Sequence, residues 1–271
     1  MVKFDRIYES EQVSVLLILS TYNTGYTATD YNPLPSISFP INGGFRYRSG
    51  RFNCIADTNV VLIEKGNIEF DVIKFKEFNH DRTLSFQIRG KDFLPFHKIF
   101  QRENAAQTLK RNPQIEILVR LFLSIYPNCS KLLKDQIIEE LLIDNILAQK
   151  LPATRITKFT PWNSRKINIA KDYIFNHSSE DISLDNISAV SNISSFHFSR
   201  IFKKVTGYSP YAYLLQVRIV QAQQLLREGS SVTSTAFEVG FNSVANFSYR
   251  FKEMVGISPS EYQKSNNSKV R

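Results

Sequence analysis

Residues 198–213, FSRIFKKVTGYSPYAY, and residues 247–262, FSYRFKEMVGISPSEY, spell one pattern twice at a constant offset of 49. Phe198/Phe247, Ser199/Ser248, Phe202/Phe251, Lys203/Lys252, Gly207/Gly256, Ser209/Ser258, Pro210/Pro259 and Tyr213/Tyr262 coincide. Upstream, SLDNIS (183–188) aligns with SVTSTA (231–236) at an offset of 48, so the second copy carries one extra residue in its turn. A unit repeated in this way buries the same faces twice, which predicts two like substructures in one domain. Each copy reads as a short helix, a turn, a longer helix, a glycine stop and a Ser-Pro restart. That is a pair of helix-turn-helix units.

In the first copy, Ser183 is placed to cap a short helix bearing Leu184 and Ile187, and the turn passes through Ser191-Asn192-Ile193. Asn tolerates the positive φ such a turn needs. Ser194 is expected to cap the next helix, 195–206. Phe198, Ile201, Phe202 and Val205 fall at core spacing there, and Ser195, Phe196, Ser199, Arg200 and Lys203 take the opposite face. A solvated face with a stray Phe would explain Phe196 in isolation; the duplication favours a reading face instead. An arginine so placed suits the O6/N7 edge of guanine. Ser209-Pro210 starts a long helix with Leu215, Ile219, Ala222 and Leu226 on one stripe, a rigid spacer. The second copy turns through Gly240-Phe241-Asn242-Ser243 and reads from 244–255. Val244, Ala245, Ser248, Tyr249 and Lys252 are assigned to its exposed face, and Tyr262 anchors a short closing helix.

The stretch from about 164 to 263 resembles the DNA-binding domain of the AraC/XylS family of bacterial transcription regulators. FSRIFKKVTGYSPYAYLLQVR, the A-x-x-LL at 222–226 and SVTSTAFEVGFNSVANFSYRFKEMVGISPSEY carry the resemblance. It implies two helix-turn-helix units on a linking helix, inserted into successive major-groove segments on one face of double-stranded promoter DNA. It also implies activation of transcription through contact with RNA polymerase. The pattern departs from the family at Ser188, where Ala is usual, and at Asn192, where Gly is frequent. Thr235 replaces an Ile, and Tyr249 stands where Arg often does. By this alignment the second unit offers no arginine on its reading face, which points it toward backbone positioning and shape readout.

Upstream the pattern changes. The chain has 271 residues, 42% of them hydrophobic, enough for two packed domains. From Met1 to about Gln101 the period is two: Ile68, Phe70 and Val72, then Leu84, Phe86 and Ile88, alternate with polar residues. SISFPI (36–41) and NVVLIE (59–64) read as further strands, and Asn42-Gly43-Gly44, Ser49-Gly50 and Lys65-Gly66-Asn67 as turns. The expected fold class is α+β, with an N-terminal antiparallel β barrel or sandwich (cupin-like) and a helical pair. An all-α domain of two helix-turn-helix units joined by a long helix follows. The expected divisions are a sensing domain at 1–110, the helical pair at 111–150, a linker at 151–163 and the double reader at 164–271. In the pair, Ile115, Leu118, Val119, Phe122 and Ile125 form one stripe. A second helix behind Ser130 carries Leu133, Ile137, Ile138, Leu141, Leu142 and Ile146. Its broad apolar face fits either a helix pinned against the barrel or a homodimer contact.

The family's N-terminal part is a small β-rich sensing and dimerisation domain, and this chain's resemblance to it is diffuse. It implies a small-molecule or protein effector that no residue names. Arg46, Arg48 and Arg51 read either as a solvated strand edge or as a carboxylate-capturing set. Four histidines without an HxH, two of them in the C-terminal part, give no metal-dependent barrel its ligands, and GxSxG, P-loop and GxGxxG motifs are absent. His80 reads as a solvated loop residue, and His177 as a helix-end residue rather than a ligand. Two isolated cysteines, Cys54 and Cys129, build neither a disulfide framework nor a zinc site. Cys54 is expected to be a buried, inert thiol. The chain is therefore expected to have no catalytic residues, metal or cofactor. A DNA-repair methyl-acceptor and a barrel enzyme with the same type of DNA-binding domain are the competing readings, and both lack their Cys or His sets. VSVLLIL (13–19) is too short to span a bilayer and follows acidic residues, so a cytoplasmic protein without a membrane partner is expected. The net charge of +9 favours polyanions.

Overall fold

Period-two alternation and Gly-bearing turns build ten strands in the N-terminal part. The computed structural model describes residues 2–21, 27–75, 80–90, 106–142 and 161–267. The strands are β1 (Val2–Glu9), β2 (Val13–Thr21), β3 (Thr27–Asn32), β4 (Ser36–Asn42), β5 (Gly44–Ser49), β6 (Phe52–Asp57), β7 (Val60–Glu64), β8 (Ile68–Lys74), β9 (His80–Ile88) and β10 (Ala106–Lys110). They form a six-stranded sheet in the order β1-β2-β9-β4-β7-β10 and a four-stranded sheet in the order β3-β8-β5-β6. Every pairing is antiparallel. This is the expected sandwich. The apolar run 13–19 is β2, held between β1 and β9.

The direction of the alternation is less expected. Leu84, Phe86 and Ile88 point away from the space between the sheets, and Phe86 meets Phe122 at 5.9 Å between ring centroids. Thr83, Ser85 and Gln87 line a cavity between the sheets instead. On β4 the same division puts Ile37 and Phe39 outside and Ser38 inside, with the Arg111 guanidinium 5.5 Å over the Phe39 ring. A sheet buried on both faces can place its polar row inward, provided a helix covers the apolar row. Phe122 lies on α1 (Pro113–Ile125), which Asn112 caps by accepting from the Ile115 N–H at 2.8 Å.

α1 is buried nearly all round from Ile115 to Phe122, including Glu116 and Arg120, which pair at 2.8 Å one turn apart. The next helix is α2 (Lys131–Glu139), with Ile137 and Ile138 buried and Leu141 and Leu142 just beyond it. Ile146 lies outside the described residues. Arg46 and Arg48 sit on the outer, solvent side of β5, an inner strand, and Arg48 holds Asp71 at 2.6 Å. They are solvated but not at an edge, and they face away from the cavity between the sheets. Cys54 is buried and unpaired, and burial pushes its thiol up to about 12.

The chain forms two compact units, one of Met1–Ile115 and Phe122–Asn168, the other of Glu116–Leu121 and Ile169–Arg271. The C-terminal helices are α3 (Pro161–Asn176), α4 (Leu184–Ala189), α5 (Ser195–Thr206), α6 (Pro210–Arg227), α7 (Val232–Glu238), α8 (Val244–Val255) and α9 (Pro259–Asn267). α3 begins at a proline three residues before the predicted start, so 161–163 are helix rather than linker; proline is well suited to a first helical turn. The rest of that linker lies outside the described residues.

Candidate functional site

The duplicated residues build duplicated packing. Phe198 and Phe202 meet at 5.3 Å, and Phe202 meets Tyr213 edge-on at 5.5 Å and 82°. Phe247 and Phe251 meet at 5.6 Å, and Phe251 meets Tyr262 edge-on at 5.4 Å and 72°. Five of these rings are at most 1% exposed, and Tyr262 is 8% exposed. Edge-to-face contacts of this kind add about 0.5–1.5 kcal/mol each to the burial of the rings. Each triad pins its longer helix, α5 or α8, to the helix that follows the glycine stop. Those stops are left-handed, Gly207 at φ 87° and Gly256 at φ 92°.

The turns match at an offset of 48. Asn192 (φ 49°) and Gly240 (φ 91°) both take the left-handed conformation. Only Gly240 must be glycine, because a Cβ there would lie 2.8 Å from the Ser179 carbonyl oxygen. Ser183 and Asn186 form a reciprocal capping box at the start of α4. Ser243 accepts from the Asn246 N–H at 3.1 Å at the start of α8. Ser194 occupies the corresponding position of α5 but makes no side-chain cap bond, contrary to expectation.

With the aromatic rows turned inward, α5 presents Phe196 (76% exposed), Arg200 and Lys203 to solvent, with Ser199 half-buried beside them. The Arg200 guanidinium lies 5.9 Å from the Phe196 ring centre, within cation–π range. Ser195 is engaged internally: its hydroxyl donates to Asp185 and lies 3.0 Å from the Ser188 hydroxyl. It therefore fastens α5 to α4, and the Ser188 that departs from the family pattern is its partner. On α8, Ala245, Tyr249 (64% exposed) and Lys252 are exposed and Ser248 is half-buried. Val244 departs from its assignment, since it packs on the second unit's core cluster.

Periodicity also missed Arg250. Its position matches core-side Ile201, yet the guanidinium reaches solvent beside Tyr249, 5.5 Å from that ring, and pairs with Glu253 at 2.8 Å. The pairing holds it firmly charged. The second unit thus does carry an arginine next to its reading face. Arg218 on α6 was missed as well: it donates to the carbonyls of Ser178 (2.7 Å) and Glu180 (2.9 Å) and lies over Phe241. It braces α6 against the end of α3.

The second feature is the cavity in the sandwich, about 160 Å³ in volume. Glu64 enters it from β7, is 5% exposed, and accepts at Oε2 from the hydroxyls of Ser36 (2.7 Å) and Ser38 (3.1 Å). Burial raises its carboxyl above the usual range, against the lowering effect of those bonds. Tyr47, 1% exposed, faces the same carboxyl. Lys74 also lines the cavity, paired with Asp81 at 2.5 Å.

Two reader helices on matched aromatic triads define a double helix-turn-helix domain. A family model described as a helix-turn-helix domain matches residues 187–265. An uncharacterized HTH-type transcriptional regulator of Haemophilus influenzae is 34% identical over 102 residues, which is 37% of this chain and 34% of that protein. A probable AraC family transcriptional regulator of Rhodopseudomonas palustris is 29% identical, with 38% of this chain and 98% of that one covered and a TM-score of 0.36. The DNA-binding domain of AdpA, solved in complex with a target DNA, is 27% identical, with 38% and 95% covered and a TM-score of 0.37. The C-terminal part is thus a helix-turn-helix domain similar to those of transcription regulators. The chain spans about a third of the length of curated relatives such as the Haemophilus protein. No helix among the described residues is long and apolar enough to cross a membrane.

Proposed function

We propose that this chain is a sequence-specific regulator that binds double-stranded promoter DNA and activates transcription by contacting RNA polymerase. The observation that carries the reading is the pair of matched aromatic triads, each leaving one polar, partly cationic helix face exposed. Phe196, Ser199 and Arg200 read bases in one major-groove segment, and Ala245, Ser248 and Tyr249 in the next, about 10 bp along. Lys203, Lys252 and the amino ends of α5 and α8 hold phosphates. Ser195 and Val244 serve the fold of their units. The sandwich senses an effector in its cavity, the α1–α2 pair supplies a homodimer contact, and the protein works in the cytoplasm where its DNA is.

Selection from random duplexes with the full chain is the test. A single motif should emerge, with two conserved blocks about one helical turn apart. Affinity for it should fall steeply with salt, and Lys203→Ala should reduce the slope by about 1. Recovery of no motif would overturn the reading.

A further inference from the structure

The sandwich cavity carries information about the chemistry of its occupant. Of its charged lining residues, Lys74 is neutralised by Asp81, both under a tenth exposed. Glu64 and Asp30 remain, and among the described residues no cation pairs with either. Both serine bonds to Glu64 land on Oε2, on one side of the carboxyl. The Tyr47 hydroxyl faces the same carboxyl.

The walls add a second, independent feature. Tyr47 and Phe70 stack at 5.2 Å and 21°, and Tyr31, 52% exposed, stands among the lining residues with them. The cavity already holds one ammonium over a ring, since Lys74 Nζ lies 4.4 Å from the centre of Phe45. Aromatic walls with a carboxylate are the arrangement that recognises organic cations.

We propose that this cavity binds a small primary amine with a compact apolar body, and that Glu64 is its counter-ion. The proposal rests on reading the sandwich as the sensing part of the protein, and names the ligand class. A carboxylate ligand would meet two carboxyl groups and no unpaired cation. A neutral ligand would leave Glu64 without its partner. As for size, an apolar cavity of ~150 Å³ takes one benzene ring, which sets the scale of the amine's body.

The titratable groups facing Glu64 are Asp30 on β3, Tyr47 on β5 and Cys54 on β6. Burial holds the last two in their neutral forms. Burial acts on the Glu64 carboxyl in the same direction, against its hydrogen bonds. An arriving ammonium pairs with the carboxylate.

The experiment is calorimetry on the full chain with three amines (butylamine, benzylamine, phenethylamine) and with phenethyl alcohol and 3-phenylpropionate. At least one amine should bind ten times or more tightly than the alcohol, and the carboxylate should not bind. Glu64→Gln should weaken the amine at least tenfold and leave the alcohol unchanged. An amine affinity that survives Glu64→Gln, or a carboxylate that binds as well as the amine, overturns the cation assignment. Such results leave the cavity open as an effector site. Binding by none of the five overturns the proposal as well. Amine binding that leaves DNA affinity unchanged upholds the site and instead sinks the effector reading.

Discussion

The two reader units have nearly the same interior and different outsides. Their aromatic contacts agree to within a few tenths of an ångström, 5.3 against 5.6 Å and 5.5 against 5.4 Å. Outside, Phe196 is matched by Ala245, Arg200 by Tyr249 and Lys204 by Glu253. Packing explains the contrast. A ring in a close-packed triad has neighbours on every side and little freedom to change. A residue on the outer face answers only to solvent and to whatever the helix touches. The interior therefore says what kind of object each unit is, and the exterior says what it reads.

The equality of the interiors can be broken first. Phe202→Ala and Phe251→Ala should each destabilise the domain by about 3–5 kcal/mol, the cost of emptying a fully buried aromatic site. Urea melts of the full chain, followed at the helical signal, would measure both. A loss several times smaller in one variant would show that its triad is not the keystone of its unit.

The inequality of the exteriors comes next. Arg200→Ala should cost about 1–3 kcal/mol at the selected site and flatten preference at one or two base pairs. Tyr249→Ala should cost less and weaken cognate and random duplexes more evenly, because a ring edge in a groove reads shape more than donor pattern. Competition titrations with single-base variants of the site would tell. The opposite ranking would move base discrimination to the second unit, where Arg250, tied to Glu253, stands ready to supply it.

What the sequence made legible follows the same division. Phe198, Phe202 and Tyr213 could be placed because their spacing recurs, and a repeat is its own control. The sandwich was legible as strands, since Leu84, Phe86 and Ile88 alternate cleanly. Alternation separates two faces without saying which one meets the interior. Thr83, Ser85 and Ser38 turned inward because Phe122 and its helix cover the apolar row. That fact lies about forty residues away in the chain. Glu64 was hidden for the same reason: at the end of an apolar strand it reads as a solvated terminus. Arg250 was missed because helical spacing assigns a residue to a face by its Cα, whereas a long side chain carries its charge to the next face.

The caps give a smaller and sharper contrast. Ser243 receives the Asn246 N–H, while Ser194 receives none. Ser243→Ala should cost about 1 kcal/mol, and Ser194→Ala close to nothing. Thermal melts of the two variants side by side would check this, and equal losses would mean that α5 recruits its cap when the chain is free to move.

The smallest difference lies in the helices that close each unit. Ser258 and Glu261 bond reciprocally: Glu261 Oε2 accepts from the Ser258 N–H (2.8 Å) and hydroxyl (2.7 Å), and Ser258 Oγ accepts from the Glu261 N–H (3.3 Å). In the first unit Ala212 stands in the place of Glu261, so Ser209 caps with nothing coming back. The bonds from Ser258 hold the Glu261 carboxyl below its usual value of 4.5. A carboxyl lowered by folding contributes stability that is complete above the unfolded value and disappears as pH falls through the folded one. Amide exchange in α9 should therefore quicken on acidification through the carboxylate range, relative to α6, after correction for the intrinsic pH dependence of exchange. Glu261→Ala, which gives the second unit the first unit's cap, should remove that extra acid sensitivity and leave α6 as it was. If wild type and variant kept a constant gap from neutral pH down to below the carboxylate range, the return bond would contribute nothing, and the two caps would be equivalent despite their different chemistry.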